Sequence, residues 1–272
     1  MSSALERGLA VLELLANHPD GLPVGAVAGA LDLPASGAHR MLNQLAELGY
    51  VRQDGTKGNY ALSMKLAALG LSFLGQSGVT EIAQPILDRL AAESRELVRL
   101  SVVDGADLVW VAVAQGATSG LRYDPGREQG VVAHLASSAS GLAWLSTLPD
   151  ETALMKVAAQ GFTLPTSGPA TPATPSALLT RLGETRARGY SVSVGTFMAG
   201  MAAMAVPVVA EDGTGLGAIS IAGPEVRFSE ARMAALSVPL HGAAAEMARA
   251  ARGSALFRRA TAAPPASERR AG

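Results

Sequence analysis

The chain has 272 residues, a formal net charge of −1 and an apolar fraction of 49%, values typical of a globular protein with about two domains. It contains no cysteine, which excludes disulfides, thiolate nucleophiles and cysteine-based metal sites. The N-terminus lacks a leader pattern, and no apolar run approaches the roughly 20 residues that a membrane-spanning helix needs. We therefore expect a cytoplasmic protein with no membrane partner.

Three short helices are predicted near the N-terminus. Apolar residues recur there at three- and four-residue spacing, from Leu5 to Leu15, from Val24 to Leu31 and from Ala38 to Leu48. The segment from Asn17 to Gly21 separates the first two helices. Asp32-Leu-Pro34 separates the second from the third, because proline disfavours helix in the residue before it and is tolerated in a first helical turn.

A short hairpin is predicted directly after the third helix. Residues 50–62 contain two runs with aromatic and β-branched residues around Asp54-Gly55, and Asp-Gly is a strong local hairpin signal. Three helices followed by such a hairpin predict a winged helix-turn-helix over residues 1–62. Double-stranded operator DNA is the partner expected for this motif.

Polar residues of the third helix and the hairpin are the candidates for DNA contact. Arginine pairs with guanine, and asparagine or glutamine with adenine, so a helix carrying them suits a major groove. The predicted reading residues are Ser36, His39, Arg40, Asn43 and Gln44. Arg52 and Lys57 on the wing are predicted to contact phosphates, which positions a protein without specifying sequence.

Charge leaves a second interpretation of this domain open. Residues 1–62 contain four basic and six acidic side chains, a net charge of −2, so the domain lacks the basic surface typical of nucleic-acid binding. Three amphipathic helices with a hairpin are therefore also compatible with a protein-interaction module that never contacts DNA.

A linker helix is predicted over residues 63–78. Its apolar residues fall on more than one stripe, so it has two surfaces to bury. A second subunit or the following domain could cover the second stripe, and the pattern alone does not distinguish them.

Beyond residue 79 the pattern alternates between helices and strands. Strands are predicted at 96–103, 108–113, 203–209 and 216–222, with turns at Asp104-Gly105 and Asp212-Gly213. Helices are predicted through Ile82 to Leu90 and over 140–147, 176–188 and 229–252. A mixed sheet covered by helices follows for residues 79–253, and the Pro-, Ala- and Arg-rich residues 254–272 are predicted to form a disordered tail.

Several motifs resemble the IclR family of bacterial transcription regulators. The residues in question are Ala4 to Leu15, Leu33 to Val51, Ala133 to Leu145 (AHLASSASGLAWL), Arg186 to Tyr190 (RARGY) and Ala218 to Pro224 (AISIAGP). The resemblance implies an α+β protein: an N-terminal winged helix-turn-helix joined by a linker helix to a GAF-like α/β effector-binding domain. It also implies homodimers or dimers of dimers, and regulation by a small-molecule effector.

The resemblance implies an effector pocket as well. The matching positions are Ser138, Ala139, Ser140 and Gly141 at a helix start, and Ser193, Met201, Ala203, Ser220 and Ala222 from a loop and adjacent strands. Family members that bind small polar acids tend to have Asp, Cys and Ser where this chain has Ser193, Ala203 and Ala222. We therefore expect a less polar pocket and a larger, aromatic or partly apolar carboxylic acid as effector.

Two features of the predicted pocket have a simpler structural interpretation. Ser137 to Gly141 could place helix N–H groups against an anion, or Ser137 or Ser138 could simply be an N-cap. Phe197, Met198, Met201 and Met204 could line the pocket or belong to the core.

Other kinds of site lack support in the sequence. The four histidines are too scattered for a metal pair, no Gly-x-Ser-x-Gly motif is present, and no metal or cofactor is predicted. The sequence therefore favours a ligand-responsive transcription regulator rather than an enzyme, and it does not distinguish a repressor from an activator. A constitutive regulator with a collapsed pocket, and a metabolite-binding protein or enzyme with a silent helix-turn-helix, remain alternatives.

Overall fold

The computed structural model describes residues 3–55, 58–123, 130–165 and 167–261. The chain divides into two compact units, Met1–Leu74 and Gly75–Gly272. No single helix among these residues is long and apolar enough to cross a membrane; only the two consecutive helices around Gly78, taken together across a bend, reach that length and composition.

The N-terminal unit contains three helices, a hairpin and most of a fourth helix. Its elements are α1 (Ala4–Ala16), α2 (Val24–Ala30), α3 (Ala35–Glu47), β1 (Val51–Gln53), β2 (Tyr60–Leu62) and α4 (Met64–Ser77). Val11, Leu15, Val27, Leu42 and Tyr60 form its core. Strands β1 and β2 pair antiparallel, with Val51 opposite Leu62. The predicted winged helix-turn-helix order of elements is confirmed.

The described part of the C-terminal unit is a five-stranded sheet with helices. Its strands are β3 (Leu97–Asp104), β4 (Asp107–Gln115), β5 (Ser191–Val194), β6 (Met201–Val209) and β7 (Gly215–Pro224). Its helices are α5 (Val79–Ser94), α6 (Ala139–Leu145), α7 (Asp150–Gln160), α8 (Pro175–Arg188), α9 (Glu230–Ala250) and α10 (Ala255–Thr261). The strand order is β4-β3-β7-β6-β5.

Every pairing observed in this sheet is antiparallel, so the prediction of a mixed sheet is wrong in that respect. The predicted hairpins β3-β4 and β6-β7 are confirmed, and β3 joins them by pairing with β7. This third pairing needs no parallel strand, because β7 runs opposite to both of its neighbours. Helix α6 packs on β5, β6 and β7, whereas α5 packs on β3 and β4, and α9 on β6 and β7.

Three of the described elements were not predicted: α7, β5 and α10. Helix α7 follows Pro149, and β5 occupies the segment where the sequence predicted a loop around Ser193. Strand β5 has only four residues and lies between Gly189 and Gly195, both of which have positive φ. In β5 the two serines are buried and the two valines are half-buried. This is the reverse of the usual alternation, in which the apolar side chains of a strand face the core.

The start of the predicted disordered tail is ordered. Helix α10 begins at Ala255, and its Phe257 side chain is fully buried. The Ser254 hydroxyl accepts a hydrogen bond from the Leu256 backbone N–H at 3.2 Å. Packing of the Phe257 ring therefore accounts for a helix in a segment that has no apolar periodicity. The rest of the predicted tail, residues 262–272, lies outside the described residues.

Candidate DNA-binding surface and effector site

Helix α3 has a buried side and an exposed side. Ala38 and Leu42 are buried completely. Four of the five polar side chains predicted to read bases are exposed: Ser36, His39, Arg40 and Gln44. These hydroxyl, imidazole, guanidinium and amide groups are the kinds of donor and acceptor that recognise base edges and phosphates, and their exposure makes them accessible to a DNA groove.

Asn43 differs from the other four because it is half-buried. Its Oδ1 accepts a hydrogen bond from the Tyr60 hydroxyl at 2.9 Å, and its Nδ2 lies 3.5 Å from Nδ1 of His39. Bidentate pairing with adenine uses both ends of the amide. In this structure Asn43 links α3 to β2, and base recognition by Asn43 stays a prediction.

The structure describes one of the two cations predicted for the wing, Arg52. Arg52 and Asp54 are both exposed, and Nη1 of Arg52 lies 3.3 Å from Oδ1 of Asp54. An exposed pair of this kind contributes about 0–1 kcal/mol, so a phosphate could replace the carboxylate at little cost. Lys57, the other predicted phosphate contact, lies outside the described residues.

The predicted effector residues on strands share one face of the larger sheet. Ser193, Ala203 and Ala222 are successive cross-strand partners on β5, β6 and β7 and form a single row. Met201 and Ser220 each lie two residues from a member of this row and point to the same face. The structure brings all five together, with Ser193 on a strand rather than on a loop.

Helix α6 covers this face of the sheet. Ala139 packs in one apolar cluster with the half-buried Ala203. Ser140 is buried, and its Oγ accepts a hydrogen bond from Nε1 of Trp110 at 3.4 Å. Gly141 allows a very close approach, since a Cβ at this position would lie 2.4 Å from the carbonyl oxygen of Leu135. The predicted residues of α6 and those of the strands therefore meet at one site.

Ser138 is the N-cap of α6. Its Oγ accepts a hydrogen bond from the Gly141 N–H at 3.0 Å and donates to the carbonyl of His134 at 2.7 Å. This is the structural alternative that the sequence left open for Ser138. Since α6 has seven residues and one of its first N–H groups is already satisfied, contact between its backbone and an effector stays a prediction.

His134 anchors the segment before α6. Its Nδ1 lies 2.8 Å from Oγ of Ser137, and its Nε2 lies 3.0 Å from the carbonyl oxygen of Gly161. Burial lowers the pKa of the His134 imidazole, and the backbone hydrogen bond to Gly161 opposes that shift. The imidazole therefore connects the segment before α6 to Gly161 at the end of α7.

Ser193 has a structural role in this arrangement. Its hydroxyl lies 2.9 Å from the carbonyl oxygen of Ser137, to which Thr196 donates at 2.7 Å, and the two hydroxyls also touch each other. Ser220 is different. Its Oγ is buried and has no hydrogen-bond partner among the described residues.

The predicted methionine and aromatic residues separate into two groups. Met204 is fully buried and pairs with Ile221, on the face opposite the site, so it belongs to the core. Met201 packs on the site face beside Tyr123. The ring of Phe197 meets Trp110 edge-on at 5.6 Å between centroids. Phe197 and Met201 therefore adjoin the site, whereas Met204 does not.

Arg99 is the residue that the sequence interpretation missed. It lies on β3 directly opposite Ser220 of β7, and it is only 6% exposed. Its guanidinium carbon is 4.2 Å from the ring centroid of Trp110 and 5.8 Å from that of Tyr123. The signal available in the sequence was a lone arginine at the centre of an apolar strand, Leu97-Val-Arg-Leu-Ser-Val-Val103.

A winged helix-turn-helix and a separate α+β unit with a partly polar interior site are typical of a transcription regulator. The chain matches the family described as IclR helix-turn-helix domain over residues 4–55 and that described as Bacterial transcriptional regulator IclR C-terminal over residues 71–249. The Transcriptional repressor IclR of Escherichia coli (strain K12) is 31% identical over 244 residues, which cover 90% of this chain and 88% of the repressor. The chain belongs to the IclR family of bacterial transcriptional regulators.

Solved structures show the same fold. An IclR transcriptional regulator from Alicyclobacillus acidocaldarius matches with a TM-score of 0.76 at 21% identity, covering 92% of this chain and 99% of that one. An IclR homologue from Microbacterium hydrocarbonoxydans, complexed with 4-hydroxybenzoate, matches with a TM-score of 0.73 at 25% identity, covering 93% of this chain and 100% of that one. The predicted family and the α+β fold class are confirmed.

Proposed function

We propose that this chain is a ligand-responsive regulator of a catabolic or metabolic operon. The α3 helices of a homodimer, or of a dimer of dimers, bind half-sites of operator DNA in the cytoplasm. A small carboxylic acid held between α6 and the sheet changes the population of DNA-binding conformations.

The observation that carries this proposal is the convergence of the predicted effector residues on one covered face of the sheet. Ser220 supplies a buried hydroxyl there with no partner among the described residues. A buried hydroxyl without a partner costs about 1–3 kcal/mol, and a polar group of a ligand would recover that free energy.

Two features support an aromatic or partly apolar acid as the effector. Ala203 and Ala222 are the apolar members of their row, beside Ser193; Ala222 belongs to the cluster that contains Leu97 and Tyr123, and Ala203 packs against that cluster. The Microbacterium homologue was solved with 4-hydroxybenzoate, an aromatic acid. A mostly apolar lining with a few placed polar groups is the usual composition of a small-molecule site.

The experiment is a gel shift of the full-length protein on the DNA upstream of its own gene, at fixed moderate salt, with and without a panel of aromatic and aliphatic carboxylic acids. A specific shift that one acid alters supports the proposal. The absence of a specific shift on this DNA and on other operators would overturn it.

Two substitutions separate the functions of the two units. Arg40→Ala should weaken operator binding by about 1–3 kcal/mol per half-site and leave effector affinity intact. Arg249→Ala, an equal change of charge on α9, is the control and should leave the shift unchanged. Ser220→Leu should abolish the response to the acid and preserve the shift, because its side chain would occupy the buried site.

A constitutive regulator is the second candidate, and the hydrogen bonds of Ser193 favour it. The Ser193 hydroxyl already contacts the carbonyl of Ser137 and the hydroxyl of Thr196, so this polar group is satisfied without a ligand. For such a protein, the operator shift would be specific and no acid would change it.

A further inference from the structure

A hydrogen-bond network connects the exposed side of α3 to the second strand of the wing. The Tyr60 hydroxyl of β2 donates to Oδ1 of Asn43 at 2.9 Å, and Nδ2 of Asn43 lies 3.5 Å from Nδ1 of His39. Tyr60 is 1% exposed, Asn43 is half-buried and His39 is exposed. This network of Tyr60, Asn43 and His39 therefore runs from the core of the N-terminal unit to the side of α3 that is proposed to face DNA.

Backbone contacts fix the buried end of the network. The backbone N–H and carbonyl of Tyr60 exchange two hydrogen bonds with those of Leu22, both at 2.9 Å. Gly21 permits this approach, since a Cβ at that position would lie 2.7 Å from the Tyr60 carbonyl oxygen. Because the backbone is held and the ring is buried, the Tyr60 hydroxyl has a fixed position below α3.

The direction of the hydrogen bonds follows from the chemistry of the three side chains. An asparagine amide accepts through its oxygen and donates through its nitrogen. Since Oδ1 of Asn43 accepts the Tyr60 proton, the amide presents its NH₂ group to Nδ1 of His39. In a neutral imidazole one nitrogen accepts and the other donates, so this arrangement leaves the His39 proton on Nε2. At 3.5 Å the contact is long, and it biases the tautomer without locking it.

A donor at Nε2 of His39 suits one kind of base edge. His39 lies in the N-terminal half of α3, the part of a recognition helix that contacts base edges. Guanine presents two acceptors in the major groove, N7 and O6, whereas cytosine presents a donor. The other tautomer of His39, which could accept from cytosine, would point its Nδ1–H at the NH₂ group of Asn43. The network therefore favours guanine as the contact of His39.

We infer that His39 recognises a guanine through Nε2–H, and that Asn43 and Tyr60 are positioning residues that select this tautomer. The inference rests on the proposed function, because it needs α3 in a major groove. It gives Asn43 a part in sequence specificity without a base contact of its own, in contrast to the sequence interpretation, in which Asn43 itself reads a base.

The test is the selection of binding sites from a library of randomised DNA duplexes by the full-length protein, at fixed moderate salt, followed by sequencing. The wild type should prefer guanine at one position of each half-site by about three- to tenfold, the range for one hydrogen bond. His39→Ala should remove the preference at that position alone. Tyr60→Phe and Asn43→Leu should reduce it at the same position to less than about twofold, because a released imidazole can present either nitrogen.

Tyr50→Phe is the matched control. It removes a tyrosine hydroxyl from the same unit and keeps the ring over which Nζ of Lys65 lies, 4.7 Å from the centroid, so it should enrich the wild-type motif. Far-ultraviolet circular dichroism compares the folding of the variants. Asn43→Leu replaces a half-buried side chain on a helix and covers the case in which Tyr60→Phe fails to fold.

The outcomes separate this inference from the proposed function. If Tyr60→Phe and Asn43→Leu keep the guanine preference that His39→Ala loses, or change a different position, the positioning role is overturned and DNA binding stands. If His39→Ala lowers affinity for all sequences equally, His39 contacts a phosphate, and the inference is overturned while DNA binding again stands. If the wild type enriches no motif, the inference and the proposed operator binding are both overturned.

Discussion

At the scale of one residue, the close contact between Gly141 and Leu135 predicts that a side chain at position 141 destabilises the protein. A Cβ on residue 141 would lie 2.4 Å from the carbonyl oxygen and 2.5 Å from the Cα of Leu135, so backbone rather than a flexible side chain would have to move. We expect Gly141→Ala to lower the free energy of unfolding by about 1–3 kcal/mol, as measured by urea denaturation.

Gly183→Ala is the matched control for that experiment. Gly183 lies in helix α8, and a Cβ there has nothing within 4 Å. Because alanine has the higher helix propensity, this variant should gain up to about 1 kcal/mol. Equal denaturation midpoints for the two variants would contradict the close packing of α6 on the Leu135 segment.

Residues of the candidate site were predictable to different degrees. Ser220 and Ala222 lie on a strand with clear β composition, so alternation alone places them on one face. The neighbour of Ser220 could not be predicted in the same way, because Arg99 reaches it through a pairing between segments distant in sequence. Periodicity describes each strand separately and contains no information on which strand lies next to it.

At the scale of one element, α10 gives a second prediction. Phe257 is 1% exposed, and α10 contacts β3, β7 and α5. Phe257→Ala should lower the free energy of unfolding of the C-terminal unit by about 3–5 kcal/mol, because it leaves a cavity where a ring was packed. Chemical denaturation followed by tryptophan fluorescence measures this, since both tryptophans lie in that unit.

Val238→Ala, on α9, is the control for the α10 experiment. The Val238 side chain is 77% exposed, so its truncation should change stability by no more than about 0.5 kcal/mol. If Phe257→Ala behaved like Val238→Ala, residues 255–261 would be as disordered as their composition predicts.

Elements were predictable where local chemistry determines them. Asp54-Gly55, Asp104-Gly105 and Asp212-Gly213 each predicted a hairpin turn, and all three glycines have positive φ in the structure. Strand β5 and helix α10 lack such signals. The serines of β5 are buried and donate hydrogen bonds to the carbonyls of Ala139, the first residue of α6, and of Ser137 just before it. Helix α10 depends on one phenylalanine, so tertiary contacts determine both elements.

At the scale of the whole molecule, α4 leaves apolar side chains exposed in the single chain. Leu66, Leu69 and Phe73 share one side of the helix by their spacing, and Met64 and Leu71 lie on another. An exposed apolar stripe of this kind is typical of a surface that a partner covers. We propose that a second copy of the chain covers this stripe, because the paired half-sites proposed for the operator need two recognition helices.

Leu69→Glu tests this prediction. A glutamate introduced into an apolar subunit interface would be buried without a partner, so the variant should sediment as a monomer at protein concentrations where the wild type is a dimer. Operator affinity should fall at the same time by more than tenfold, since a monomer reads one half-site. Met155→Glu, which replaces an apolar side chain on α7 that is at least as exposed as Leu69, is the control and should keep the wild-type sedimentation and DNA affinity. A dimer that persists in Leu69→Glu would show that α4 is not the contact between subunits, and the exposed stripe would then need another partner.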